Sequence, residues 1–143
     1  MKVKDLKGKW HNWNLSSNVN NSKSARPRSS GHLRARELLK EIYPLDQVLE
    51  ELPLPGTLLF CDFFLPLRRL MIEVHGKQHF EFVAYFHGSA EGFVASKKRD
   101  SEKTEWASIN NLKQVILPDT EGNNEWRRRI ESAFKTGGSP PEV

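Results

Sequence analysis

Two apolar segments that each contain one carboxylate constrain the fold of this chain most strongly. Residues 58–65 (LLFCDFFL) and 69–75 (RLMIEVH) place Asp62 and Glu73 in otherwise apolar runs. Apolar runs of this length, closed by a proline or a glycine, predict buried β-strands. A carboxylate in a buried strand is costly unless it is paired or binds a metal ion. The sequence therefore predicts two neighbouring strands whose acids need compensation.

The flanking segments predict a small mixed sheet covered by helices. Helical spacing after Ser29-Ser30-Gly31, with Ser30 as the expected cap, predicts a first helix that stops before Pro44. The whole order is α-β-β-β-α-β-α, with helix 30–43, strands 47–52, 58–65 and 69–75, helix 93–110, strand 113–117 and helix 125–134. This order is typical of an α/β (α+β) domain. Residues 80–92 match no element clearly.

Length and composition limit the class of protein. The chain has 143 residues, of which 37% are hydrophobic, enough for one core, and we assign it to residues 29–136. No apolar run reaches the roughly 18 residues of a membrane span. Cys61 is the single cysteine, which excludes an internal disulfide and a multi-cysteine zinc site. Residues 137–143 predict a disordered tail.

The positive charge is concentrated at the start of the chain. The net charge is +4, yet residues 1–28 hold seven lysines and arginines against one acid, Asp5. We interpret this segment as a basic flexible arm with a polyanion partner, most simply nucleic acid; a solvated tail without a partner is the alternative. Four of its residues are candidate DNA contacts: Trp10, Trp13, Arg26 and Arg28. For the two tryptophans, packing against the body or a second subunit is favoured over base stacking.

Several groups able to bind a metal or carry a proton surround the second acidic strand. Strand alternation places Glu73 and His75 on one face, and a turn then brings His79. With Asp62 on the preceding strand, these residues could hold a hard divalent cation and supply a proton carrier. For Asp62 alone, an ion pair with Arg68 or Arg69 is the more common arrangement, but four such groups together require several separate compensations.

These residues resemble the PD-(D/E)XK nuclease superfamily. The similarity consists of Glu37 on a helix, Asp62 on a strand, the run IEVHGKQH at 72–79 and the run RDSEK at 99–103. It extends from about residue 29 to 118 and is strongest to the very short patch repair endonucleases and the EDxHD homing endonucleases. The resemblance implies a restriction-endonuclease-like mixed sheet. It also implies an intracellular, cytoplasmic protein of a bacterium or a phage-infected cell.

The resemblance further implies a role for each matching residue. Asp62 would be the main ligand of Mg²⁺ or Mn²⁺, with Glu73 or the backbone carbonyl of Val74 completing the shell. His75 stands where the superfamily usually has lysine and would position or activate water. His79 would contact the phosphate or protonate the leaving oxygen, and Glu37 would bind metal through water or orient a base. No structural zinc is expected, because Cys61 is alone.

Other residues are expected to contact DNA. The predicted DNA-binding set is Arg34, Arg36, Lys77, Gln78, Lys97, Lys98, Arg99 and Lys103, with Asp100 in a secondary role. A cluster such as Lys97–Arg99 is usually a solvated helix end, but in a nuclease it would bind phosphates.

The sequence thus predicts a Mg²⁺-dependent endodeoxyribonuclease that nicks or cuts duplex DNA, of phage or mobile-element type. It would act as a monomer or homodimer and have no membrane partner. A nucleic-acid-binding module on the same fold with a decayed metal site is the alternative. A third interpretation is a globular protein without nuclease activity, whose acids form ordinary core pairs.

Overall fold

Two β-sheets and three α-helices make up the protein in a computed structural model that describes residues 1–15, 29–76 and 88–134. The elements are β1 (Lys2–Lys4), β2 (Trp10–Asn12), α1 (Ser30–Ile42), β3 (Leu49–Pro53), β4 (Phe60–Leu65), β5 (Leu70–His75), α2 (Ala90–Ile109), β6 (Lys113–Pro118) and α3 (Asn123–Ser132). A 3₁₀ turn, Pro66–Arg68, joins β4 to β5. Strands β1 and β2 pair as a separate antiparallel hairpin.

The main sheet has the order β3-β4-β5-β6. Its first three strands are antiparallel neighbours, whereas β6 runs parallel to β5 from Leu70↔Lys113 to His75↔Pro118. Parallel strands require a long crossover, and α2 lies in that connection. The predicted mixed sheet flanked by helices is confirmed, and its order α-β-β-β-α-β-α holds from α1 onward.

Helix starts follow local capping chemistry. The Ser29 side chain accepts the amide N–H of His32 at 3.1 Å, so Ser29, rather than the expected Ser30, caps α1. The Ser89 side chain accepts the amide N–H of Gly92 in the same way at the start of α2. These bonds satisfy donors that a helix N-terminus otherwise leaves free.

A hydrophobic core covers each face of the main sheet. The first contains residues of α1, α3 and the strands: Ala35, Leu38, Leu39, Phe63, Leu65, Leu70, Ile72, Val115, Leu117, Trp126 and Ile130. The second contains residues of α2, the strands and the N-terminal segment: Val3, Trp13, Leu49, Leu52, Leu54, Leu59, Cys61, Phe64, Met71, Trp106, Ala107 and Leu112.

The first 15 residues do not form a flexible arm. Val3 and Trp13 are buried, and the Trp13 ring stacks on Phe64 at 4.6 Å and meets the edge of Trp106 at 5.1 Å between centroids. The prediction of an arm is therefore wrong for residues 1–15, because two apolar side chains fix the hairpin to the core. Packing, the favoured interpretation, is confirmed for Trp13, whereas Trp10 is exposed.

Some predictions concern other parts of the chain. Arg26, Arg28 and the tail 137–143 lie outside the described residues. Among the residues that are described, no helix is both long and apolar enough to cross a membrane.

Candidate functional site

The two predicted strand acids meet where β4 and β5 stop pairing. Regular pairing ends at Phe63↔Ile72, so the next opposed pair in this register would be Asp62 and Glu73. There the Asp62 carboxylate, instead of a backbone carbonyl, accepts the amide N–H of Val74 at 2.8 Å. The side chain thus takes the place of a strand hydrogen bond at the point where regular pairing stops. Asp62 stays partly exposed at this opening.

Glu73 is the most deeply buried acid of the site. It is 1% exposed, and within the described part of the chain its Oε1 atom has no hydrogen-bond partner. Burial raises the pKa of Glu73 well above its usual value, and the neighbouring Asp62 carboxylate raises it further. An orphaned buried carboxylate oxygen beside a second carboxylate is unfavourable in the protein alone. This pair therefore has the chemistry of a cation site.

Lys103 of α2 reaches this pair of acids. Its Nζ lies 3.4 Å from Glu73 Oε2, and its side chain is 17% exposed. The ammonium lowers the pKa of Glu73 and opposes the effects of burial and of Asp62. Lys103 thus lies at this pair of acids, and its contact with DNA stays a prediction.

The sequence does carry a signal for this position of Lys103. Ser96, Trp106 and Ala107 are the buried residues of α2. Lys103 is seven residues after Ser96 and four before Ala107, so helical periodicity places it on the same inward face. The cluster of charges at 97–103 obscures this periodicity, because its composition is typical of a solvated surface.

His75 ends β5 next to the pair of acids. It is buried, and its carbonyl accepts the amide N–H of Asp119 at 2.9 Å. Strand alternation places it on the same side as Glu73. Asp62, Glu73 and His75 thus lie at one end of the β4–β5 pair.

The two arginines considered as partners of Asp62 bind elsewhere. Arg68 donates to the carboxylate of Asp46. Arg69 donates to the backbone carbonyls of Asn110 and Asn111. Neither arginine therefore compensates the Asp62 charge, which keeps this carboxylate available to a cation.

Glu37 does not join the site. Its side chain is 74% exposed on α1 and pairs with Lys40 at 3.4 Å. The buried residues of this helix are His32, Ala35, Leu38 and Leu39, and Glu37 projects from a different face. Glu37 is therefore not among the residues that the structure brings together at this site.

Arg34 and Arg36 are also occupied within the protein. Arg34 lies over the Trp126 ring at 3.4 Å and donates to Asn123 Oδ1 at 2.7 Å. Arg36 donates to both carboxylate oxygens of Glu50, at 3.0 and 2.8 Å. Both arginines therefore hold elements of the fold together, and their DNA contacts stay predictions.

A buried ion cluster on α1 and β3 was not predicted from the sequence. Glu50 of β3 binds Arg36 and His32, whose Nε2 lies 2.6 Å from Glu50 Oε1, and the His32 ring stacks on Phe63. Burial by itself raises the pKa of Glu50, but the hydrogen bonds from His32 and Arg36 outweigh it and lower the pKa to about 2. The sequence signal is weak, because these residues are distant along the chain.

The remaining predicted contacts have mixed outcomes. Lys97, Lys98 and Arg99 are exposed on α2, with Lys98 near Glu102 at 4.0 Å, and Asp100 is partly buried. Their DNA contacts stay predictions. Three further predicted residues lie outside the described part of the chain: Lys77, Gln78 and His79.

The described residues contain no ready-made metal cluster. Among residues 1–15, 29–76 and 88–134, no group of three or more histidines, cysteines or acids is arranged to hold a metal ion. The pair formed by Asp62 and Glu73 nevertheless fits a hard cation, because it offers two carboxylates and an oxygen without a partner among these residues.

Comparison with known proteins gives limited similarity. No family model matches the chain. A segment of 59 residues is 32% identical to "Uncharacterized protein 307L" of Invertebrate iridescent virus 6. The match covers 41% of this chain and 30% of the viral protein, so the chain spans less than a third of that relative's length.

Proposed function

We propose that this protein is a metal-dependent DNA endonuclease that hydrolyses phosphodiester bonds. The observation that carries the proposal is the meeting of Asp62 with the buried, partly unpartnered Glu73 where β4 and β5 stop pairing, within the described residues. Three antiparallel strands followed by a helical crossover to a parallel strand also agree with the resemblance to PD-(D/E)XK nucleases.

Asp62 and Glu73 would hold a divalent cation such as Mg²⁺ or Mn²⁺, together with the carbonyl of Val74. When bound, such an ion neutralises phosphate charge and lowers the pKa of water. The hydrogen bond from the Val74 amide fixes one oxygen of Asp62. This carboxylate is therefore oriented before any ligand arrives, which lowers the cost of binding.

Lys103 and His75 supply the other chemical groups. The Lys103 ammonium next to Glu73 balances negative charge. The imidazole of His75, on the same side of β5, can accept or donate a proton. Each group thus has a distinct role: the acids bind, the lysine balances charge, and the histidine moves a proton.

Nicking of supercoiled plasmid, together with cleavage of a long linear DNA, tests the proposal. We expect activity with Mg²⁺ or Mn²⁺, none in EDTA, and a loss of at least about 100-fold in D62N and E73Q, because each variant removes one anionic ligand of the ion. The matched control is E37Q, which changes an exposed acid outside the site and should cleave at the wild-type rate.

The same assay separates the alternative function. DNA binding by the wild type with no cleavage under any metal condition would indicate the binding module with a decayed site. Normal cleavage by D62N would refute the assigned site.

A further inference from the structure

The β1–β2 hairpin presents a concentrated positive charge. It carries Lys2, Lys4, Lys7 and Lys9, of which all but the half-buried Lys4 are exposed. Within the described part of the chain, none of the four pairs with a carboxylate, in contrast to Lys40 and Arg128 on the helices. The hairpin lysines thus keep their charge available to an external anion.

The one acid of the hairpin is turned inward. Asp5 is 5% exposed, and its carboxylate lies 2.7 Å from His11 Nε2 and accepts the amides of Lys7 and Lys9 at 2.8 and 3.0 Å. A Cβ atom on Gly56 would stand 2.3 Å from the Asp5 Cβ, so Asp5 packs tightly against the β3–β4 loop. Its negative charge is bound internally, and the outward face is basic.

Trp10 adds an exposed aromatic ring to this surface. It is 60% exposed, and Lys4 Nζ lies 5.0 Å from its ring centroid. Trp13, by contrast, is buried and secures the hairpin. The fold therefore does not need Trp10 for docking the hairpin.

The hairpin is held firmly on the body. Asn110 at the end of α2 bonds the backbone of Lys4 in both directions, at 2.6 and 2.9 Å, and the Trp13 indole N–H donates to the Pro53 carbonyl at 3.0 Å. A preformed surface loses little conformational entropy when it binds.

We propose that the β1–β2 hairpin is a preformed DNA contact, with its lysines on backbone phosphates and Trp10 stacked on an unpaired base. Lysines that replace phosphate counterions dominate the affinity of DNA binding, and exposed aromatic rings stack on bases of any sequence. The inference rests on the proposed function, since it names the element that holds the substrate of that site.

Fluorescence anisotropy with labelled DNA in EDTA tests the lysines without requiring cleavage. We compare K7Q/K9Q with K40Q/R128Q, which loses the same charge at exposed helix positions. Lys7 and Lys9 bond Asp5 through their backbone amides, so K7Q/K9Q should fold. K40Q/R128Q should also fold, because both side chains are exposed. K7Q/K9Q should weaken binding several-fold and reduce the slope of log affinity against log salt by about 1.8 for two lost phosphate contacts. Equal losses in both variants, or no loss in K7Q/K9Q, would overturn the proposal.

A second comparison tests Trp10. W10A should bind a duplex with a single-stranded overhang at least about fivefold more weakly, as expected for one lost stacking contact, and a blunt duplex within about twofold of wild type. Equal affinity of W10A and wild type for the overhang would refute the stacking role. Tighter binding of wild type to phosphatidylserine vesicles than to DNA would refute the choice of partner. Because the assay contains no metal, failure of the nuclease proposal would appear in the nicking assay alone.

Discussion

At the scale of single residues, the proximity of Asp62 and Glu73 lowers the stability of the protein without a bound cation. Glu73 is buried beside Asp62, and among the described residues Lys103 compensates only one of its oxygens. Ligand-binding groups commonly destabilise the unliganded protein in this way, because their favourable electrostatic partner is the ligand. The acids should therefore limit stability until a cation is bound.

The substitution E73Q tests this cost. The introduced glutamine keeps the shape of the side chain, can donate to Asp62 and accept from Lys103, and removes the repulsion between two carboxylates. We expect E73Q to raise the free energy of unfolding in EDTA by about 1 to 3 kcal/mol, while the stabilisation of wild type by Mg²⁺ disappears. Thermal denaturation with and without Mg²⁺ measures both effects.

E37Q serves as the control for this comparison. Glu37 forms an exposed pair with Lys40, and such pairs contribute little, so stability and the Mg²⁺ effect should match wild type. An E73Q protein that is less stable in EDTA and still stabilised by Mg²⁺ would contradict the assignment of Glu73 to a cation site.

Glu50 gives a stability contribution that depends on pH. Its pKa in the folded protein is about 2, below the ordinary 4.5, so its ionised form stabilises the fold above pH 4.5. This contribution is lost as pH falls from 4.5 to about 2. We expect E50Q to be less stable than wild type at neutral pH by about 1 to 3 kcal/mol, and the difference to shrink as the carboxylate is protonated.

Urea unfolding of both proteins at several pH values measures this difference. E41Q is the matched control, because Glu41 is 68% exposed. A gap between E50Q and wild type that stays constant from neutral pH down to the pKa of Glu50 would show that the carboxylate charge is not responsible.

At the scale of elements, one of the contacts that dock the β1–β2 hairpin is the close approach of Asp5 to Gly56. Gly56 has a φ of +82° and a Cβ there would meet Asp5, whereas Gly8 has a φ of +83° and nothing lies within 4 Å of the corresponding position. An alanine at either position meets the same backbone strain, but only at Gly56 does it also collide with the hairpin.

We therefore expect G56A to destabilise the protein clearly more than G8A. The shared strain is of order 1 kcal/mol, and displacement of Asp5 adds to it in G56A alone. Urea unfolding gives the difference, and a change in the near-ultraviolet circular dichroism of the protein, to which the buried Trp13 contributes, shows whether the hairpin has moved. Equal effects of the two substitutions would mean that Asp5 adjusts without cost.

Elements with strong periodicity are predictable from the sequence, and their partners in space are less so. The strands β4 and β5 are recognisable as continuous apolar runs, and α1 is recognisable by the helical spacing of its apolar residues. Asp62 and Glu73 stand out because charge in such runs is costly. Glu37 was assigned to the site because the sequence does not show which way an acid on a helix faces. The hairpin was not predicted because its two strands have three residues each. Short strands carry too few residues to show a period.

At the scale of the whole molecule, the four-stranded sheet is a platform with a different role on each face. One face packs on α1 and α3, where the contacts of Arg34 with α3 and of Arg36 with Glu50 hold the elements together. The other face packs on α2 and the hairpin, and the Lys103 side chain of α2 lies next to Glu73. The candidate site and the proposed DNA contact thus both depend on the layer that contains α2.

The central claim is that Asp62 and Glu73 together bind a divalent cation. An anomalous difference map from a crystal of the wild-type protein soaked in Mn²⁺ tests it most directly. We predict a peak within coordination distance of both carboxylates. A map without a peak there, with Mn²⁺ bound elsewhere on the protein, would contradict the claim.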